Sequence, residues 1–346
     1  MDMVDMMYLR YTMTESEYNV AFKQLQSHLS RKFPNYNLRK EKGFQHSYVT
    51  NALAGFGFQE IRLRNSAWGY RFMEIRLRPQ LLIDRENGYY RLTKISEFKA
   101  VRLGFNYVLQ DILSLPVPDF FSWKAIRVEA AADIRIDEEL IFKYLFLFKK
   151  GNVPDYFLRN EQSQRYWYSE TNVYWMSPNK TINWYNRYDT LKDKELKSGK
   201  NYLDYSETRG ILRFETQVRD GDERVKDILK RERLQQEVMK FYKLIVGEGD
   251  YYTLQAAEEM VYNSGLTHRK RILMIRLLRA IDDIGSIFEA KKMYLSNRNG
   301  RSAADDFSKN LNHLRRLGIN PVCMPREWGM IRLENLYNRI EESFKE

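Results

Sequence analysis

Three segments of the chain set charged and hydroxyl-bearing side chains on one face of an otherwise apolar alternation. Lys124 to Asp137 reads KAIRVEAAADIRID, with Ile126, Val128, Ala130, Ala132, Ile134 and Ile136 on one side and Arg127, Glu129, Ala131, Asp133, Arg135 and Asp137 on the other. Thr181 to Tyr188 sets Ile182 and Trp184 against Asn183, Tyr185 and Arg187. GILRFETQVRD sets Leu212, Phe214, Thr216 and Val218 against Arg213, Glu215, Gln217 and Arg219. As neighbours in one sheet, these segments converge Glu129, Asp133, Glu215, Tyr185, Arg187 and Arg213 on a single surface.

Carboxylates, a tyrosine and arginines together form an inventory for cleaving a phosphodiester. The acids can hold Mg²⁺ or Mn²⁺ through oxygen, the arginines can balance charge that develops on phosphorus, and the phenol can attack it. Each residue also has a plainer reading. The chain holds 24 tyrosines, so packing or base stacking competes with nucleophilic attack at Tyr185. Glu129 beside Arg127, and Glu215 beside Arg213, also suit weak ion pairs on a solvated sheet.

The composition narrows the partner. Lys and Arg number 57 against 46 Asp and Glu, a net charge of +11, which favours a polyanion, nucleic acid first. No apolar run nears the roughly 20 residues of a spanning helix and the start MDMVDMMYLRY lacks signal-peptide character, so a cytoplasmic protein away from membranes is expected. One cysteine, Cys323, excludes intrachain disulfides and cysteine metal clusters. The four histidines are scattered without a metal-ligand spacing, so a metal would rest on carboxylates. Glycine-rich nucleotide loops are absent.

The elements that must position these residues follow from periodicity. A strand is expected over Met6 to Thr12 and a helix over Ser16 to Phe33. The two EIRLR pieces, Glu60 to Arg64 and Glu74 to Arg78, read as a hairpin whose polar face carries Arg62, Arg64, Arg76 and Arg78. Ile95 to Leu115 reads as a helix ended by Pro116 and Pro118, and strands are expected at Thr171 to Met176 and Thr181 to Tyr188 around an SPNK turn. From Asp222 the pattern becomes helical, with GEGDYY as a hinge and a basic helix start at His268, Arg269, Lys270 and Arg271. The expected architecture is α+β: an antiparallel sheet domain with flanking helices over residues 1–221, then a helical module over 222–346.

The order I-R-V-E-x-x-x-D, N-W-Y-N-R and G-I-L-R-F-E-x-Q resembles rolling-circle replication initiators of the filamentous-phage gene II type and their plasmid relatives. The tail FSKNLNHLRRLGINPVCMP is similar to theirs as well, so the likeness runs from about Met6 to Pro325. The resemblance implies a site-specific DNA nickase that keeps the cut 5′ end on Tyr185. Glu129, Asp133 and Glu215 become metal ligands, Arg187 and Arg213 phosphate contacts, and origin DNA, a host helicase and a DNA polymerase the partners. Glu129 stands where aspartate is usual and Arg187 where lysine is, the acid expected after the tyrosine is open among Asp189, Asp193 and Glu195, and Tyr188 is the alternative nucleophile.

Arg62, Arg64, Arg76, Arg78, Arg127 and Lys270 are the expected DNA contacts. A conjugative relaxase would use the same chemistry. A non-catalytic DNA-binding protein would instead use the basic hairpin and the aromatic segment RYWYSETNVYW. An RNA-binding module is disfavoured, because the aromatic signature of the common RNA-binding sheet is missing.

Overall fold

A computed structural model describes residues 2–36, 38–41, 47–66, 68–158, 171–198, 204–219, 222–296 and 301–345. Its centre is an antiparallel sheet with strand order β2-β3-β4-β5-β1-β7-β10-β9-β8, and β6 pairs with the start of β1. The strands are β1 (Asp2–Met13), β2 (Arg39–Lys40), β3 (Tyr48–Thr50), β4 (Phe58–Asn65), β5 (Arg71–Leu77), β6 (Thr93–Lys94), β7 (Lys124–Arg135), β8 (Asn172–Met176), β9 (Lys180–Asn186) and β10 (Ile211–Val218). The mixed α and β architecture with a large antiparallel sheet is therefore as expected.

The sheet is built from two like halves. In each, a long strand leads through a helix into further strands, four in the first half and three in the second, and the last of these returns beside the first: β1, α1 (Glu15–Lys32), β2, β3, β4, β5, and β7, α3 (Glu138–Lys149), β8, β9, β10. The long strands β1 and β7 pair antiparallel at the middle. Each half carries a cross-strand ion pair between its long strand and its last strand, with the signs exchanged: Arg10 with Glu74, and Asp133 with Arg213. The EIRLR hairpin lies inside the first half, and Arg62 pairs directly with Glu74 across it.

One face of the sheet is dry. Val128, Ala130, Ala132 and Ile134 of β7, Ile182 and Trp184 of β9, and Leu212 and Phe214 of β10 are buried on it. Helices α1, α2 (Phe98–Ile112) and α3 contribute Leu25, Phe105 and Phe148 to the same core. The helix Ile95–Leu115 expected from periodicity starts only at Phe98, after a tight turn over Ile95–Glu97.

Residues 222–346 return to the sheet through their helices Arg231–Ile245 and Tyr337–Ser343. Helix α5 (Arg231–Ile245), which follows α4 (Arg187–Ser198), lays Tyr242 against the rings of Phe148, Trp184 and Phe214. The terminal residues Ile340 and Phe344 join the same continuous core. The GEGDYY stretch, expected to be a hinge, is pinned. Asp250 accepts from the backbone of Asn335 at 2.8 Å and from Arg332, while Gly249 packs so close to Ile319 that a Cβ would lie 2.6 Å from its carbonyl carbon. Tyr251–Tyr252 then forms β11, paired with β12 (Arg332–Leu333). Among the described residues, no helix is long and apolar enough to cross a membrane.

Candidate active site

The polar face of β7, β10 and β9 carries the residues singled out by alternation, and register decides which of them meet. Arg213 lies directly opposite Asp133 on one side and Tyr185 on the other, and Glu215 is opposite Ala131 and Asn183. Tyr185 crosses the diagonal, and its hydroxyl donates to Glu215 Oε2 at 3.1 Å. Residues 79–92 and the start of α4 close over this face. The backbone oxygens of Tyr89 and Tyr90 accept from Arg187 at 2.9 Å and Arg213 at 3.5 Å, and Gln80 donates to Asp5 at 3.4 Å. This cover leaves Tyr185 only 3% exposed and Arg187 and Arg213 at 0%.

The expected strand over Thr181 to Tyr188 ends at Asn186. The side-chain oxygen of Asn186 accepts from the backbone N–H groups of Tyr188 at 3.1 Å and Asp189 at 3.4 Å, an N-cap that turns the chain into α4. Arg187 is thus the first residue of a helix, and it reaches the polar cluster from the helix rather than along a strand face. Tyr188 is not on the opposite strand face as expected. It lies in the first turn of α4 under the guanidinium of Arg209, which donates to its hydroxyl at 2.7 Å.

Three carboxylates converge: Asp5, Glu129 and Glu215, with one oxygen of each within 4.8 Å of the others. Asp133 stands apart from this trio, because both its oxygens are taken by Arg213 at 2.7 Å. Asp5 was not legible by alternation. Met7, Leu9 and Met13 of β1 face the core, and Asp5 shares their parity. An irregularity between Val4 and Met7 breaks the period and turns Asp5 to the polar face, as a bulge does. Its signal in the sequence is an acid standing alone in the apolar run MVDMM.

Electrostatics separates the three acids. Burial opposes ionisation of Asp5, but the guanidiniums of Arg78, Arg213 and Arg187 outweigh it and hold the carboxyl well below the usual range. Glu215 is pushed up to about 8, by burial first and then by the charges of Glu129 and Asp5. Burial also raises Glu129, despite Arg127, which donates to its carboxylate. The Tyr185 phenol is held far above its ordinary value by burial and by Glu215. Three oxygen donors whose charges oppose one another in a buried site could hold a metal ion.

The other expected contacts are spread out. Arg62 and Arg64 sit on the hairpin, tied to Glu60, Glu41 and Glu74. Arg76 and Arg127 flank the ring of Tyr8, at 5.4 Å and 4.3 Å from its centroid. Arg78 lies past the end of β5 and is buried, its guanidinium over Tyr89 at 4.3 Å. Lys270 is exposed in the first turn of the helix His268–Ile284, outside the sheet. In RYWYSETNVYW, residues 165–170 lie outside the described residues, and Val173 and Trp175 are core side chains. Comparison of the chain with protein-family models, with curated proteins and with solved structures finds no match in any of the three.

Proposed function

We propose that this protein is a metal-dependent tyrosine nickase of DNA that initiates rolling-circle replication of a phage, plasmid or integrative element. The observation that carries the reading is the hydrogen bond from Tyr185 to Glu215, one member of a buried carboxylate trio beside Arg213. In this reading Tyr185 Oη forms a bond to phosphorus, the bond from phosphorus to the 3′-oxygen breaks, and the 5′ end stays on the enzyme. Glu215 in its ionised form, which a bound cation would favour against the charges of Glu129 and Asp5, takes the phenolic proton, and the departing 3′-oxygen takes one from solvent water and ends as a hydroxyl. Asp5, Glu129 and Glu215 would hold the Mg²⁺ or Mn²⁺, which would supply polarisation of the scissile phosphate.

The arginines divide their work. Arg213 is committed to Asp133 and Asp5, so it positions the acids. Arg187 keeps a guanidinium N–H without a partner and is the better candidate to meet the phosphate. A conjugative relaxase would use the same residues.

The experiment offers the protein a supercoiled plasmid carrying the DNA that flanks its own gene, with Mn²⁺. Nicking, and an adduct that survives denaturant and maps to Tyr185, are expected. Absence of any adduct on DNA the protein binds overturns the reading. It would favour the second one, a non-catalytic DNA-binding protein, for which the near-complete burial of Tyr185 is the supporting observation.

A further inference from the structure

The guanidiniums of Arg78, Arg187 and Arg213 gather beside Tyr185, and those of Arg78 and Arg187 keep unmet N–H groups. Asp5 is shared between Arg213 at 3.0 Å and Arg78 at 3.8 Å, and Asp133 is spent on Arg213. Among the described residues no carboxylate lies within ion-pair range of Arg187, whose Nη2 instead donates to the neutral backbone oxygen of Tyr89. The Nε of Arg187, and the Nε and Nη1 of Arg78, have no hydrogen-bond partner although both side chains are more than nine-tenths buried. Tyr89 joins the two, because its ring lies under the Arg78 guanidinium while its carbonyl meets Arg187.

Lys194 adds to the group. It stands seven residues after Arg187 on α4, about two turns along the same helix face. The residue is exposed, yet its ammonium is held down to about 8 by burial of the charged end and by Arg187 and Arg78. A buried guanidinium with unmet N–H groups is costly unless an anion meets it. Planar N–H pairs are matched by the oxygens of a phosphate group.

We infer that Arg78, Arg187 and Lys194 form a phosphate-binding site beside Tyr185, and that the carbonyl of Tyr89 holds the place of a phosphate oxygen until the ligand arrives. The site goes beyond the nicking reading, because it would stand if Tyr185 formed no adduct. Its phosphate comes either from a nucleic-acid backbone or from a free phosphate.

Thermal unfolding with inorganic phosphate, matched in ionic strength with chloride, tests the site. Phosphate at about ten times its dissociation constant should raise the melting temperature by about 2 °C. Arg78→Gln should abolish that rise. Lys194→Met, a change at an exposed helix position, should reduce it without altering the fold, so the test does not hang on a buried substitution. A short oligothymidylate separates the sources. If it leaves phosphate with no additional effect, the site takes a backbone phosphate; if the two shifts add, it takes a free one. Equal melting temperatures in phosphate and chloride, or an undiminished phosphate shift in both variants, overturn the assignment.

Discussion

Tyr185 and Glu215 sit on adjacent strands but not opposite one another: Tyr185 faces Arg213 in register, and its hydroxyl reaches Glu215 across the diagonal at 3.1 Å. The geometry gives the phenol an acceptor and places it beside the guanidinium in the same row. Tyr185→Phe should therefore keep the fold at a cost of about 1 kcal/mol, the worth of one hydrogen bond. The covalent adduct should vanish while affinity for DNA changes little. Mass mapping of trapped protein checks this, and an adduct on Tyr188 in the wild type would move the chemistry to the first turn of α4.

Metal binding should follow the spatial trio rather than the one expected from strand alternation. Mn²⁺ added to chelator-treated protein should raise stability by about 2.7 kcal/mol at about a hundred times its dissociation constant. Asp5→Asn and Glu215→Gln should each remove most of that increment. Asp133→Asn should retain it, because the Asp133 oxygens are engaged by Arg213. Calorimetry with and without metal reads the increment separately from any change in baseline stability. The opposite pattern would restore Asp133 as the ligand.

Removing the C-terminal part should cost folding rather than only recognition. The side-chain amide of Asn335 is fully used: it donates to the backbone oxygens of Gly247 and Gly249 and accepts from Tyr242 and from the Tyr337 backbone. Asn335→Ala should destabilise by about 3 kcal/mol, since buried donors and acceptors are left unmet. Truncation after Glu248 also removes Ile340 and Phe344 from the core. Denaturant titration should find that the truncated chain lacks a cooperative transition, and a stable truncated sheet domain would show the two parts to be separable.

Cys323 should report global unfolding. It is buried, and burial pushes its thiol up to about 12, so near pH 8 the folded protein holds almost none of the reactive thiolate. A thiol reagent should label it slowly in buffer and rapidly in denaturant. Because the folded value is raised, ionisation begins to cost stability only as the pH climbs through the ordinary thiol range, so labelling should stay slow at lower pH. Fast labelling of native protein would show that the segment around Cys323 opens locally.

What the sequence determined by itself is the face of each strand. Alternation of branched and aromatic residues against charged ones placed Glu129, Arg213, Glu215 and Tyr185 on the polar side of β7, β10 and β9, because side chains in an extended chain must alternate. The same rule failed where the backbone departs from regularity. An irregularity in β1 turned Asp5 to the polar face, and the Asn186 cap began a helix at Arg187, where alternation expected the strand to continue. Tertiary structure alone decided that Asp133 belongs to Arg213, that residues 79–92 cover the cluster, and that α5 and the C-terminus close the core. Those contacts join residues as much as 208 positions apart, and no local period records them.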